Sequence, residues 1–250
     1  MKIALIVITA LALGHTLQSA YAAEHQHWEY KGEHGAAKWG DISPEFAPCK
    51  LGKEQSPIDI KSAEKADLKP IEFNYKDSAV TVLNNGHTIQ FNYDKGSFIK
   101  VGDDQYELIQ FHFHTPSEEK INGKPYSMVA HLVHKNAEGK LAVVGVLMQE
   151  GKQENKFLKS LWSELPAQQS EPKVLANKTT NIAQFLPAKN AYYTFNGSLT
   201  TPPCSEGVRW FVLKEPVQIS AEQHAAFQKI FPLNARPVQP LNGRKVQESQ

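Results

Sequence analysis

Between Ile71 and Gln149 the apolar residues recur in short alternating runs: Ile71 to Tyr75, Ala79 to Leu83, His87 to Tyr93 and Ser97 to Val101. Polar or glycine-containing turns separate them, and Gln105 to His114, Tyr126 to His134 and Leu141 to Gln149 continue the series. A period of two in β-branched and aromatic residues predicts strands, and turns at such short intervals predict an antiparallel sheet. Leu141-Ala-Val-Val-Gly-Val-Leu-Met148 is apolar throughout, so it is expected to lie deep with both faces covered. Helical spacing appears later, over Asn155 to Glu164 and over Ala221 to Ile230, where Ser220 is a good N-cap. Nothing repeats at a fixed period and no Gly/Ser/Pro linker divides the chain, so one domain is expected.

Composition narrows this picture. At 250 residues, 41% hydrophobic and 10% aromatic, the chain can bury a substantial core and has the make-up of a globular protein. The formal net charge is +1 and no basic stripe with interleaved aromatics occurs, which argues against nucleic acid as a partner. The N-terminus carries Lys2, an apolar stretch from Ile3 to Gly14 and then Ala20-Tyr21-Ala22, the layout of a secretory signal cleaved after Ala22. Residues 1–22 are thus expected to be removed, leaving 23–250 as a periplasmic or secreted mature chain. The leader is short for a membrane span, and no later segment is apolar enough to cross a bilayer. Two cysteines, Cys49 and Cys204, in an exported chain invite one disulfide, with two free thiols as the alternative. Closing so long a loop would stabilise by about 5 kcal/mol in the chain-entropy account, less any native strain.

The densest chemistry lies between Gln110 and His134. In Gln110-Phe-His-Phe-His114 the alternation of a strand turns His112 and His114 to one face, with Phe111 and Phe113 behind them. Their alpha carbons would stand roughly 7 Å apart, a span two imidazoles close around one ion. The run Ser117 to Pro125 contains Asn122-Gly123 and can turn the chain into an antiparallel partner strand. On that strand His131 and Val133 share a face and His134 takes the other. A lone strand histidine is an ordinary satisfied polar residue; three in this arrangement make the ligand set of a catalytic zinc with one position open for water. Neutral ligands leave the ion its full charge, and no Cys pair lies nearby, which fits a catalytic better than a structural site. His25 and His27 could bind metal, but read first as part of a flexible terminus.

These segments, together with Gln55-Ser-Pro-Ile-Asp-Ile60, Asn84-Asn-Gly-His87, Gly197-Ser-Leu-Thr-Thr-Pro-Pro203 and Arg236-Pro-Val-Gln-Pro-Leu241, resemble the signature segments of the alpha-class carbonic anhydrases, particularly the bacterial secreted ones. They run in family order from about Trp28 to Arg244, and Trp28-Glu-Tyr30 with Trp39 resembles the family's N-terminal aromatic cluster. With the hydropathy pattern, the resemblance implies a mainly β (α+β) single domain around a large twisted, mostly antiparallel central sheet with short peripheral helices. It implies zinc on His112, His114 and His131, and reversible hydration of carbon dioxide to bicarbonate and a proton by attack of zinc hydroxide. Thr200 would accept a hydrogen bond from that hydroxide and pass its own proton to Glu118, and Thr201 would lie near bicarbonate. Val133, Val143, Leu199, Val208 and Trp210 match the apolar wall for carbon dioxide, and each would equally suit plain core packing. His87 matches the proton shuttle, working through ordered water with an ordinary pKa of about 6.5. The resemblance also supports a Cys49–Cys204 bridge, which would brace the Thr200 loop, and inhibition by anions and sulfonamides. Some bacterial relatives pair, so a homodimer stands as one reading. A silent zinc- or partner-binding relative and a zinc hydrolase acting on esters are the competing functions.

Metal-bound histidines normally give their second N–H to an outer partner. Gln110 matches the partner of His112, and a carbonyl near Asn234 would serve His114. The family's glutamate partner of the third histidine, and a histidine and a tyrosine linked to it, are replaced here by Val129, Glu119 and Phe195. The expected compensation is that Glu119 supplies the carboxylate to His131 while Val129 and Phe195 fill the emptied volume.

Overall fold

The computed structural model describes residues 26–250, so the expected leader at 1–22 lies outside the described residues. The chain folds around one large sheet whose strands follow the spatial order Lys173–Thr180, Ser78–Asn84, Ile89–Tyr93, Asp104–His114, Met128–Lys135, Leu141–Gly151, Glu206–Leu213, Tyr192–Ser198, Gln247–Glu248 and Glu64–Lys65. Val217–Ser220 adds to Leu141–Gly151, and Ile71–Asn74 joins through Phe98–Val101. Most pairings are antiparallel, as the short turns require. The exceptions are Leu141–Gly151, parallel to Glu206–Leu213 and to Val217–Ser220, and the short pair Gln247–Glu248 with Glu64–Lys65. The first exception is why the Leu141 run is apolar throughout: Ala142 to Met148 is buried without interruption, as expected for a strand with cover on both faces.

Alternation along Asp104–His114 separates two environments. Phe111 and Phe113 enter the larger core, where Phe111 stacks on Phe91 at 5.0 Å and Phe113 meets Trp162 edge-on at 4.9 Å. His112 and His114 face the other side, above a second apolar cluster built on Val129, Val143, Phe195, Val208 and Trp210. Two helices cover the larger core. Lys156–Trp162 is capped by Asn155, whose side chain accepts from the Leu158 N–H at 3.1 Å. Ala221–Gln228 opens on a capping box of Ser220 with Gln223 and ends two residues short of the expected Ile230.

The Asn122-Gly123 signal marks a tighter feature than a direct turn between the histidine strands. With φ of 52° and 80° these residues join Lys120–Ile121 to Lys124–Pro125 as a small hairpin, on which Asp59–Ile60 lies in parallel. That miniature sheet sits within the connection, yet the histidine strands still pair antiparallel with His131 directly opposite His112. Cys49 and Cys204 form a disulfide across a separation of 155 residues. Arg236 ties the same corner together: its guanidinium donates to Gln55 Oε1, to the Ser56 carbonyl and to the Cys49 carbonyl at 2.9, 2.7 and 3.0 Å.

Candidate metal centre

His112, His114 and His131 each present a ring nitrogen, and these nitrogens lie within 4.8 Å of one another. The opposite nitrogen of every ring is held. His112 Nδ1 meets Gln110 Oε1 at 2.8 Å, from the same face of the same strand. His114 Nδ1 donates to the Asn234 carbonyl at 2.7 Å. His131 Nε2 lies 3.2 and 3.3 Å from the two carboxylate oxygens of Glu119. The inward set is therefore Nε2 of His112, Nε2 of His114 and Nδ1 of His131. His114 Nε2 is buried with no hydrogen-bond partner of its own. An orphaned acceptor beside two more imidazoles fits a borderline-soft divalent cation, to which neutral nitrogen ligands are suited.

Burial keeps His112 neutral, lowering its pKa to about 3 with help from neighbouring His131, and holds His114 well below the usual range for the same reasons. Burial also presses on His131, but the charge and hydrogen bond of Glu119 and the charge of Glu118 outweigh it and leave this ring raised. Glu118 Oε2 stands 3.5 Å from His114 Nε2 and 3.8 Å from His131 Nδ1. Burial pushes the Glu118 carboxyl up to about 7; His131, the Thr200 hydroxyl and the Arg236 backbone N–H pull it back. That N–H donates to Glu118 Oε1 at 2.7 Å. Thr200 is buried beside it and Thr201 is half-buried.

Val143, Val208 and Trp210 are buried, with Val133 and Leu199 half-buried against them. The Trp210 ring meets His131 edge-on at 4.9 Å, so this apolar wall abuts the metal-site face. Val129 and the Phe195 ring, stacked at 6.0 Å on Trp210, occupy the interior of the same cluster. Gly197 lets Trp210 cross the neighbouring strand: a Cβ there would meet Trp210 Cδ1 at 2.8 Å and the Ser56 hydroxyl closer still. Gly197→Ala is expected to destabilise by about 1–3 kcal/mol, the usual cost of overfilling a packed site. A urea unfolding midpoint equal to wild type would contradict it.

His87 follows Gly86, whose φ of 88° closes the turn, and Asn85 Oδ1 accepts from the His87 and Thr88 N–H groups. The imidazole is half-buried and stacks on Trp28 with centroids 3.6 Å apart. Burial, then the nearby His27, lowers its pKa to about 4. This partnership was invisible in the sequence because the two residues are far apart along the chain. Asn234 carries more than was expected of it: besides its carbonyl on His114, its side chain accepts from the Thr115 N–H and donates to the His87 and Phe113 carbonyls. Tyr30, from the aromatic cluster, places a buried hydroxyl near enough to Glu118 for that charge, after burial, to raise its pKa.

A large β-sheet carrying three convergent, outer-bonded imidazoles defines a metalloenzyme centre. The family model described as eukaryotic-type carbonic anhydrase matches residues 34–250. A carbonic anhydrase of Nostoc is 43% identical over 232 residues, covering 91% of this chain and 88% of that protein. One of Neisseria gonorrhoeae is 44% identical, covering 95% and 94%. Among solved structures, the alpha-carbonic anhydrase of Thermovibrio ammonificans in complex with the inhibitor sulfanilamide superposes with a TM-score of 0.86 at 47% identity, covering 89% of this chain and 99% of that one. The chain belongs to the alpha (eukaryotic-type) carbonic anhydrase family, whose general activity is the hydration of carbon dioxide.

Proposed function

We propose that this chain converts carbon dioxide and water reversibly to bicarbonate and a proton, using one zinc ion held by His112, His114 and His131. The observation that carries the reading is the convergence of three inward ring nitrogens whose outer nitrogens are already engaged. When bound, zinc supplies the Lewis acidity that lets a water ionise near pH 7 and act as nucleophile. Thr200 donates its proton to Glu118 and so turns a lone pair into the site; a hydroxyl can do both, which Val could not. The Arg236 N–H holds Glu118 in place for this task. Carbon dioxide carries no charge and suits the wall of Val133, Val143, Leu199, Val208 and Trp210, with Thr201 beside the bicarbonate product. His87 takes the released proton outward. Stacked on Trp28, with a pKa of about 4, it is a poor proton acceptor at neutral pH in this position.

Joint retention of the three ligands, Thr200, Glu118 and His87 favours this over a silent relative, and the apolar wall favours it over an ester hydrolase. Among the described residues no helix is long and apolar enough to cross a membrane. The Cys49–Cys204 bridge and the leader pattern support export and a catalytic domain at 23–250. Stopped-flow carbon dioxide hydration tests the reading. Activity should vanish with a strong chelator, return with zinc and fall with a sulfonamide. Chelator-resistant hydration, or none at all in zinc-loaded protein, would refute it.

A further inference from the structure

Thr115, which follows the ligand His114, sits at the end of a line of polar groups that the chemistry above does not use. His224 Nδ1 lies 2.9 Å from Glu150 Oε2, and His224 Nε2 lies 3.1 Å from the Thr115 hydroxyl. Thr115 is fully buried, so this carboxylate–imidazole–hydroxyl line cannot present a nucleophile to any substrate. Its other end points at the metal centre. The Thr115 N–H donates to Asn234 Oδ1 at 2.7 Å, and the Asn234 carbonyl is the acceptor for His114 Nδ1. Thr115 and Asn234 therefore couple His224 to the orientation of a ligand ring.

We propose that His224 is a positioning residue for the metal centre: braced by Glu150, it fixes Thr115 and thereby holds His114 at the angle the ion requires. The platform behind it is rigid. His224 lies on the helix Ala221–Gln228, and the adjacent Gln223 closes the capping box while bonding both the N–H and the carbonyl of Asn155. Glu150 is fixed in turn, since its strand runs parallel to Val217–Ser220 and its N–H donates to the Ser127 hydroxyl at 3.0 Å. Outer partners that hold a ligand ring typically govern metal affinity by about 10- to 100-fold. His224 acts one group further out, so an effect of about tenfold is expected.

The inference rests on the reading of the three histidines as zinc ligands, and the test keeps the two separable. Zinc release from wild type, His224→Leu, Thr115→Val and the double variant is followed with a chromophoric chelator in excess, and unfolding of the zinc-free proteins is measured in urea. His224→Leu should speed release about tenfold. Its zinc-free stability should stay close to wild type. Because His224 works through Thr115, the double variant should release zinc no faster than the faster single variant, whereas unconnected effects would multiply. Glu150→Gln, altered at a half-exposed end that folding tolerates, should give a smaller change in the same direction. Wild-type release rates in both His224→Leu and Glu150→Gln overturn the proposal. So does a faster release that tracks a loss of zinc-free stability, or one that multiplies with Thr115→Val. A wild-type protein that takes up no zinc sinks the ligand reading itself, a result distinct from zinc-loaded variants behaving as wild type.

Discussion

Glu119→Gln is expected to weaken zinc binding by about 10- to 100-fold while leaving the fold intact. The substitution keeps the shape and an oxygen that can accept from His131 Nε2, so what it removes is charge. Glu119 is fully buried, and His131 is its ionic partner at 3.2 Å. In a site of low polarisability an anionic acceptor makes the imidazole more basic at its far nitrogen, and a neutral amide does so much less. No neighbour stands in for the lost charge. Trp210 meets this ring edge-on at 4.9 Å, and Glu118 faces the opposite, metal-side nitrogen at 3.8 Å. A competition titration with a chelator of known affinity reads the effect directly. Wild-type affinity in Glu119→Gln would mean that the exchange of Glu119, Val129 and Phe195 is mere repacking. Glu119→Ala should be worse still, since besides the charge it removes the partner of the buried His131 Nε2.

Much of this centre was legible in the chain because its logic is local. Gln110, His112 and His114 share one strand face, so a period of two already placed an outer partner and two ligands together. The antiparallel return that brings His131 opposite His112 was carried by turn chemistry, although Asn122-Gly123 proved to close a small hairpin of its own inside that return. What the chain did not disclose was contact across long separations. The stacking of His87 on Trp28, the side-chain bonds of Asn234 to Thr115, His87 and Phe113, and the line from Glu150 through His224 to Thr115 each join segments that no period connects. The strands Lys173–Thr180, Tyr192–Ser198, Glu206–Leu213 and Val217–Ser220 were also missed. Val217–Ser220 reaches the sheet only as a parallel neighbour of Leu141–Gly151, and Glu206–Leu213 joins that strand in parallel as well, a relation that hairpin signals cannot announce.

The zinc-free protein is expected to lose stability in mild acid through a histidine that takes no part in the metal site. His134 faces away from the ligands into the larger core, where its Nε2 meets the Tyr75 hydroxyl at 2.8 Å. Burial lowers its pKa to about 3, with the backbone of Leu132 and Ala142 pulling it only partly back. Burial likewise raises Tyr75, so the pair stays neutral and the phenol remains the donor. Unfolded, the imidazole takes up a proton below about pH 6.5, while the folded protein refuses it until about pH 3. A depressed base of this kind contributes stability that is fully present above the unfolded value and drains away as pH falls toward the folded one. The slope is about 1.4 kcal/mol per pH unit, giving a loss of about 2 kcal/mol at pH 5 and about 4 to 5 by pH 3. His112 and His114 titrate in the same sense once zinc is absent, so the wild-type curve alone cannot isolate His134. The comparison that does is His134→Gln, which keeps a partner for Tyr75 but has no proton to take. Between pH 7 and pH 5, urea unfolding of zinc-free wild type should lose about 2 kcal/mol more than the variant does. Parallel losses in the two proteins would show that His134 is already protonated in the fold, and that the core admits its charge.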